Sequence, residues 1–317
     1  MTIYFGVERH QWAFIIGGIT SLFSIIISIH SIIQQIKYNY NPILKKYIIA
    51  IIGIVPIYAL IAYLGLVDKN YTYAYDTIRE CYEAFVIYSF FEFLLAYLSK
   101  GKSYLDYTSQ FENFDEVEHM FPFKYILSKW TIGRNFLQNT MFGTFQYVII
   151  KLLCGFAIFI MSFFDIYEDG KLSFESSHVY IVIIASISQI YAMYCLVLLY
   201  HQYREELKNI NPFLKFISIK AVVFLTFWQG VIISLLVKIQ IIISTQTYTT
   251  EQSSKGLQDF IICIEMLIAS IFYKYSFPAK EFYNEEHIDI HYSSVLDHLM
   301  ILLWPSQSSD QFIDVKV

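Results

Sequence analysis

Three observations predict an all-α membrane protein: a bundle of seven transmembrane helices, with the N-terminus outside or lumenal and the C-terminus cytosolic. The first is composition, with 56% of residues hydrophobic, 19% aromatic and 15% charged, where a soluble domain has about 45–50% apolar and about 25% charged residues. The second is a series of seven apolar runs, each about 20 residues long and so able to cross a hydrocarbon core. The third is the placement of basic residues. Lys37, Lys45, Lys46, Lys100, Lys102, Lys124, Lys129, Arg134, Arg204, Lys208, Lys215, Lys280 and Lys316 fall in the connections on one side and in the tail. Arg9, Lys69 and Lys171 fall on the other, and the basic-rich side is the cytosolic one.

The expected spans are residues 12–36, 47–66, 75–98, 141–163, 179–200, 216–239 and 256–277, so that residues 1–277 form the membrane domain and 278–317 a cytosolic tail. The opening MTIYFGVERHQW has neither a basic n-region nor a small-residue cleavage site, so the first run is expected to stay as an anchor. Gly53 and Pro56 place a kink in the second span, tolerable where neighbours re-satisfy the freed backbone. Cys81, Cys154, Cys195 and Cys263 each lie in an apolar run without metal-ligand spacing, which points to packing. The formal net charge of −5 is scattered, and no basic patch interleaved with aromatics marks a nucleic-acid surface. The implied surroundings are the lipid bilayer.

Residues 99–140 form the longest connection. Phe121, Phe123, Tyr125 and Trp130 suit the membrane interface, so the segment is expected either to lie along the cytosolic surface or to form a solvated loop. In the tail, Val295, Leu296, Leu299, Met300 and Leu303 share one face of a short amphipathic helix over about residues 294–304, stopped by Pro305. It suits either the interface or the cytosolic end of the bundle. Beyond it, Asp310, Phe312 and Val315 belong to an acidic aromatic-x-x-aliphatic segment of the kind that adds as a strand to a ubiquitin-like autophagy protein.

Ionisable groups inside the runs are the candidate site, because an ionised acid or base at a helix centre costs about 2.5–3.5 kcal/mol. In the third span Asp76, Arg79, Glu80 and Glu83 follow i, i+3, i+4, i+7 and form a stripe descending from the outer surface. Asp76, Arg79 and Glu80, joined by Asp259 of the seventh span, define an expected outer vestibule, with Lys238 at the same level. Deeper, Glu83, Lys151 and Glu265 fall near mid-depth, and Lys151 is expected to balance one of the two acids while the other lines a cavity. With Gln229 these three make the expected transport pathway; a buried ion network that only fixes helix register is the alternative. Gln258 and Glu265 share a helix face, whereas Asp259 sits about 120° away from Glu265. Gln146, Gln189, Lys220 and Glu92 are further polar groups inside the spans.

Several stretches resemble the organic solute transporter alpha-subunit family, which includes the transmembrane protein 184 group. They are DTIRECYEAFVIYSF at 76–90, GTFQYVIIK at 143–151, SQIYAMYCLVLLYHQYREEL at 188–207, NPFLKFISIKAVVFLTFWQGVII at 211–233 and GLQDFIICIEM at 256–266, with VPIYALIAYLGL at 55–66 a weaker match. The resemblance is closer to the transmembrane protein 184 group than to the bile-acid-transporting subunits. It implies seven helices, a cytosolic tail and carriage of sterol-like solutes or amphipathic organic anions. It further implies a small single-span partner subunit in the transporting branch, a homo-oligomer being the other assembly open to the chain, and residence in vacuolar, endosomal or plasma membranes. Two departures stand out: Lys151-Leu152 occupies a place where the family commonly has Arg-Pro, and Met141 one where a basic residue is often found.

The leading expectation is therefore a transporter or facilitator of amphipathic organic solutes, not driven by ATP since no nucleotide-binding motif is present. The alternative is an endomembrane scaffold recruiting an autophagy-type partner through its tail. A seven-helix receptor lacks D-R-Y and N-P-x-x-Y. An enzyme is not expected: G-x-S-x-G and H-E-x-x-H are absent, the histidines are scattered, with His287 and His291 an i, i+4 pair in the tail, and no cofactor is implied.

Overall fold

Among the described residues, seven helical segments are long and apolar enough to cross a membrane. The computed structural model describes residues 7–39, 41–68, 72–99, 116–117, 119, 123–125, 129–164, 177–241 and 250–282. The expected tail helix, Asp310, Phe312, Val315, His287 and His291 lie outside the described residues. In chain order the helices are α1 (Val7–Tyr38), α2 (Pro42–Ile52), α3 (Ile54–Val67), α4 (Thr72–Ser99), α5 (Arg134–Phe163), α6 (Ser177–Gln202), the short α7 (Arg204–Leu207), α8 (Pro212–Lys238) and α9 (Thr250–Ser276). Together α2 and α3 make the second span.

Several helices start earlier than hydropathy alone indicates. The second span begins at Pro42 rather than 47, because the Asn41 side chain accepts from the Ile43 and Leu44 amides at 3.1 and 3.2 Å and Pro42 suits the first helical position. α8 begins at Pro212 rather than 216, after Asn211 in the left-handed conformation. α5 and α9 begin at Arg134 and Thr250 rather than 141 and 256. Hydropathy finds the apolar centre of a span, while the helix runs on through polar turns whose backbone still needs its hydrogen bonds.

The second span breaks at Gly53. Pro56 has no N–H to offer the Ile52 carbonyl, and Tyr82 of α4 donates its hydroxyl to the Ala50 carbonyl at 2.8 Å. A Cβ at Gly53 would lie 2.5 Å from that hydroxyl, so the absence of a side chain is what admits Tyr82 to the break.

α4 is the central helix: 67% of its most apolar window is buried inside the protein, against 17% for α5. It packs on α2, α3, α5 and α8, while α9 packs on α1, α3 and α8, and α6 packs along α5. The core joins Phe90, Phe91, Phe93 and Leu94 of α4 to Ile51, Val55 and Tyr58, to Leu198 and Leu199, and to Ile262 and Met266. Cys195 and Cys263 are buried in it. Outward faces carry exposed apolar side chains such as Leu22, Phe23 and Ile26 of α1 and Leu153, Phe156 and Phe159 of α5, as a lipid-facing surface requires. Apolar contact gains little in lipid, so hydrogen bonds between helices matter more. Ser24 Oγ donates to the Met266 carbonyl at 2.8 Å, Gln35 Nε2 donates to the Phe277 carbonyl at 2.9 Å, and Ser218 and Ser276 share a bond of 2.6 Å. Lys215, 2% exposed, bonds the Ile210 carbonyl and both Glu281 carboxylate oxygens.

The described residues of the long connection include a short antiparallel pair. β1 (Glu116–Val117) pairs antiparallel with β2 (Trp130–Thr131) and turns the chain back on itself. That pairing buries His119, whose Nδ1 lies 2.6 Å from Tyr194 Oη on α6, and Trp130 meets the imidazole edge-on at 4.7 Å instead of lying in the interface. Tyr125 remains exposed.

The Gly53 contact makes a testable prediction. Gly53→Ala forces Tyr82 out or bends the span, costing about 1–3 kcal/mol, and lowers the thermal midpoint in detergent. Tyr82→Phe, which removes only the hydroxyl, costs about 1 kcal/mol. Midpoints equal to the parent's would contradict the contact.

Candidate functional site

The α4 stripe does not face one partner. On an ideal helix Arg79 and Glu80 point about 100° apart, so residues of one stripe can address different neighbours. Asp76 and Arg79 turn to α9, Glu80 to α5 and Glu83 to α6.

At the membrane face where α1 begins, Arg79 is 6% exposed and pairs with Asp76 one turn away. Its Nη1 lies 3.7 Å from Asp259 Oδ1, and its guanidinium stands over the Tyr58 ring, 5.8 Å from the centroid. Lys255 completes the group with Nζ 2.9 Å from Asp76 Oδ2. Two acids and two bases thus neutralise each other. Gly65 of α3 makes room for this group, since a Cβ there would lie 2.6 Å from Asp259 Oδ2. Of the expected vestibule, Asp76, Arg79 and Asp259 meet, Glu80 does not, and Lys238 stands exposed at the end of α8. Lys255 precedes the apolar run that marks the seventh span, which begins at 256; the signal that finds it is its spacing of i, i+4 to Asp259.

Of the two acids that Lys151 was expected to balance, it acts on Glu83, while its direct ion pair is with Glu80. Lys151 Nζ bonds Glu80 Oε2 at 2.9 Å across the α4–α5 seam, with the Glu80 side chain 52% exposed and that of Lys151 13%. Glu83 is 8% exposed and accepts a hydrogen bond of 3.1 Å from Gln189 Nε2, while Lys220 of α8 and Lys151 are the cations acting on it. Glu92, near the other end of α4, accepts from Tyr47 Oη at 3.2 Å. Ser188 Oγ donates to Gln146 Oε1 at 2.8 Å and Gln146 Nε2 donates to the Ser188 carbonyl at 3.1 Å, which joins α5 to α6.

Glu265 lies on the α8–α9 seam, half-buried, with Gln229 as the polar side chain that acts on it. Glu265 Oε2 and both amide atoms of Gln229 are buried without a hydrogen bond of regular geometry. The four expected pathway residues therefore divide over three seams and do not converge. α6 and α8 flank α4 without extended close packing between them, and Glu83, Gln189 and Lys220 are the polar groups contributed at that level by the three helices. A polar hollow of about 280 Å³, lined by Lys129, Trp130, Asn135, Gln138 and Asn139, lies apart from them at the start of α5. Among the described residues no three His, Cys, Asp or Glu side chains gather as metal ligands.

The Lys151–Glu80 pair is testable. Lys151→Leu leaves Glu80 without its cation and is expected to cost about 1–3 kcal/mol, below the cost of a fully buried orphan charge because Glu80 is half-exposed. Glu80→Gln in the same chain should restore most of the loss, read as the thermal midpoint in detergent. A Lys151→Leu chain as stable as the parent would contradict the pair.

A profile described as "Organic solute transporter Ostalpha" matches residues 13–282, which takes in every described span. Three relatives from Arabidopsis thaliana are similar over most of this chain. Protein LAZ1 homolog 2 is 33% identical over 287 residues, 87% of this chain and 70% of its own length. Protein LAZ1 homolog 1 is 30% identical over 89% of this chain and 61% of its length, and Protein LAZ1 is 32% identical over 86% and 58%. The chain thus spans less than two thirds of the latter two. No solved structure matches. The chain is a multi-pass integral membrane protein that belongs to the organic solute transporter Ostalpha family, a family of solute transporters and not an enzyme class, the same family whose transmembrane protein 184 group its motifs resemble.

Proposed function

We propose that the protein carries amphipathic organic solutes, sterol-like or anionic, across its membrane without ATP. Family membership supports a transporter role, and the observation that carries the finer reading is the Glu83–Gln189–Lys220 group at mid-bundle, between two helices that do not close on one another. A solute of this class needs one polar anchor and a long apolar wall. Lys220 is the anchor: a solute anion takes the place of Glu83 as its partner, and Glu83 keeps the Gln189 hydrogen bond. Apolar side chains exposed on α6, Ile187 and Ile190, and on α8, Phe224 and Trp228, are available to the solute's apolar body.

We further infer that the face where α1 begins is outside or lumenal. The support is the set of lysines at the opposite face, Lys37, Lys45, Lys46, Lys208 and Lys280, whereas Lys255 at the first face is engaged with Asp76.

Uptake of a radiolabelled sterol sulfate into proteoliposomes tests the proposal. Uptake should saturate, and Lys220→Gln should raise KM roughly tenfold to a hundredfold, the loss of one charge-assisted bond. Lys274→Ala, on the exposed side of α9, should leave it unchanged. Uptake no greater than in protein-free vesicles, or an unaltered KM in Lys220→Gln, would overturn the reading.

A further inference from the structure

Among the described acids of α4 and α9, Glu265 stands apart. Asp76, Glu80 and Asp259 have cations, Glu83 has Gln189 and Lys220, and Glu92 has Tyr47. Glu265, at the middle of α9, is paired with no charged group among the described residues. Neighbouring elements offer it little. From α8 it meets Gln229; Lys220 lies nine residues further along that helix, about 13 Å at 1.5 Å per residue. α3 carries no charged residue. At this level α1 presents Ser24, engaged with the Met266 carbonyl, and its His30 lies beyond, exposed and bonded to Gln34. On α4, Arg79 and Glu83 are committed to Asp259 and Gln189.

The chemistry of Gln229 identifies what completes the site. A carboxylate only accepts hydrogen bonds, so an ionised Glu265 would use the Gln229 amide N–H and leave the amide oxygen facing a second acceptor. A neutral carboxylic acid has both a donor and an acceptor. Its O–H can donate to Gln229 Oε1 while its other oxygen accepts from Gln229 Nε2, which pairs the atoms of these two side chains that are buried without a regular bond. A sodium ion needs several oxygen ligands, and this seam offers two side chains.

We infer that Glu265, held by Gln229, is the binding site for a coupling proton that crosses the membrane together with an anionic solute. Glu265 takes the proton from hydronium on the acidic side, forming one O–H bond and releasing water, and returns it to water on the other side. The two steps are linked to solute because a bound anion and an ionised Glu265 within one bundle repel each other, whereas the anion and the neutral acid do not. Solute therefore travels with the protonated form, and a monoanion with one proton moves without net charge. This inference rests on the transporter reading above, and the experiment separates the two.

The full chain in proteoliposomes is given labelled sterol sulfate with and without an inward proton gradient of about one pH unit, expected to drive about tenfold accumulation at one proton per solute. In Glu265→Gln the ratio of uptake with and without the gradient should fall to about 1. Saturable uptake that ignores the gradient, that follows a sodium gradient instead, or that still responds in Glu265→Gln, overturns the proton site and leaves the transporter reading standing. Infrared difference spectra of the purified protein need no solute. A protonated-carboxyl band should titrate with pH, vanish in Glu265→Gln, persist in Glu83→Gln and shift its titration in Gln229→Leu. A band that survives Glu265→Gln, or no titrating band in the parent, overturns the proton site even where uptake is absent and the transporter reading has failed.

Discussion

The rest of the structure depends on one constraint: an ionised side chain inside the hydrocarbon must find its compensation within the protein. α4 meets it with a different neighbour at each level. Arg79 reaches Asp259 and ties α4 to α9, Glu80 meets Lys151 and ties it to α5, Glu83 meets Gln189 and ties it to α6, and Glu92 meets Tyr47 and ties it to α2. Each contact offsets part of a cost that an insertion scale puts at about 2.5–3.5 kcal/mol for an ionised group at a helix centre, and also selects which helix stands where. Apolar packing in lipid discriminates poorly between helices, and these polar contacts supply the discrimination. Tyr82 at the Gly53 break and Ser24 under the Met266 carbonyl follow the same rule for backbone groups.

The architecture was legible in the sequence because a span is written in consecutive residues, and mean hydropathy over about 20 of them is a local property. The polar interior was legible only in part. Asp76, Arg79 and Asp259 were found together because they lie within the first turns of helices that start on the same face. Lys255 escaped because it precedes the apolar run, although it is helical. Lys151 was matched by depth to Glu83 and Glu265, but depth says nothing about rotation, and its contact with Glu80 depends on how α5 turns against α4. Nothing local in residues 116–131 announces that two residues on each side pair and bury His119 against Tyr194. That arrangement is a tertiary contact between a connection and a distant helix, beyond the reach of interface propensities.

The bundle divides into a tied part and a freer one. α4 and α9 share buried charges, α1 and α3 pack closely on α9, and Lys215 with Glu281 fastens the start of α8 to the turn after α9. Further along, among the described residues α8 packs mainly on α9 and a short stretch of α4, and it is the helix that carries both Lys220 and Gln229. A helix fastened at one end and bearing the partners of two carboxyl groups can answer a change of charge at either of them, because among the described residues its contacts elsewhere are few.

Arg79 organises α4 and α9 by neutralising their acids, and a double-mutant cycle of Arg79→Leu and Asp259→Leu on thermal unfolding in detergent measures how far it does so. Arg79→Leu leaves Asp259 buried without its cation, and Asp259→Leu leaves Arg79 with Asp76 alone, so the double variant should recover much of the loss, with a coupling of about 1.5 kcal/mol or more. Changes that add within about 0.5 kcal/mol would contradict it.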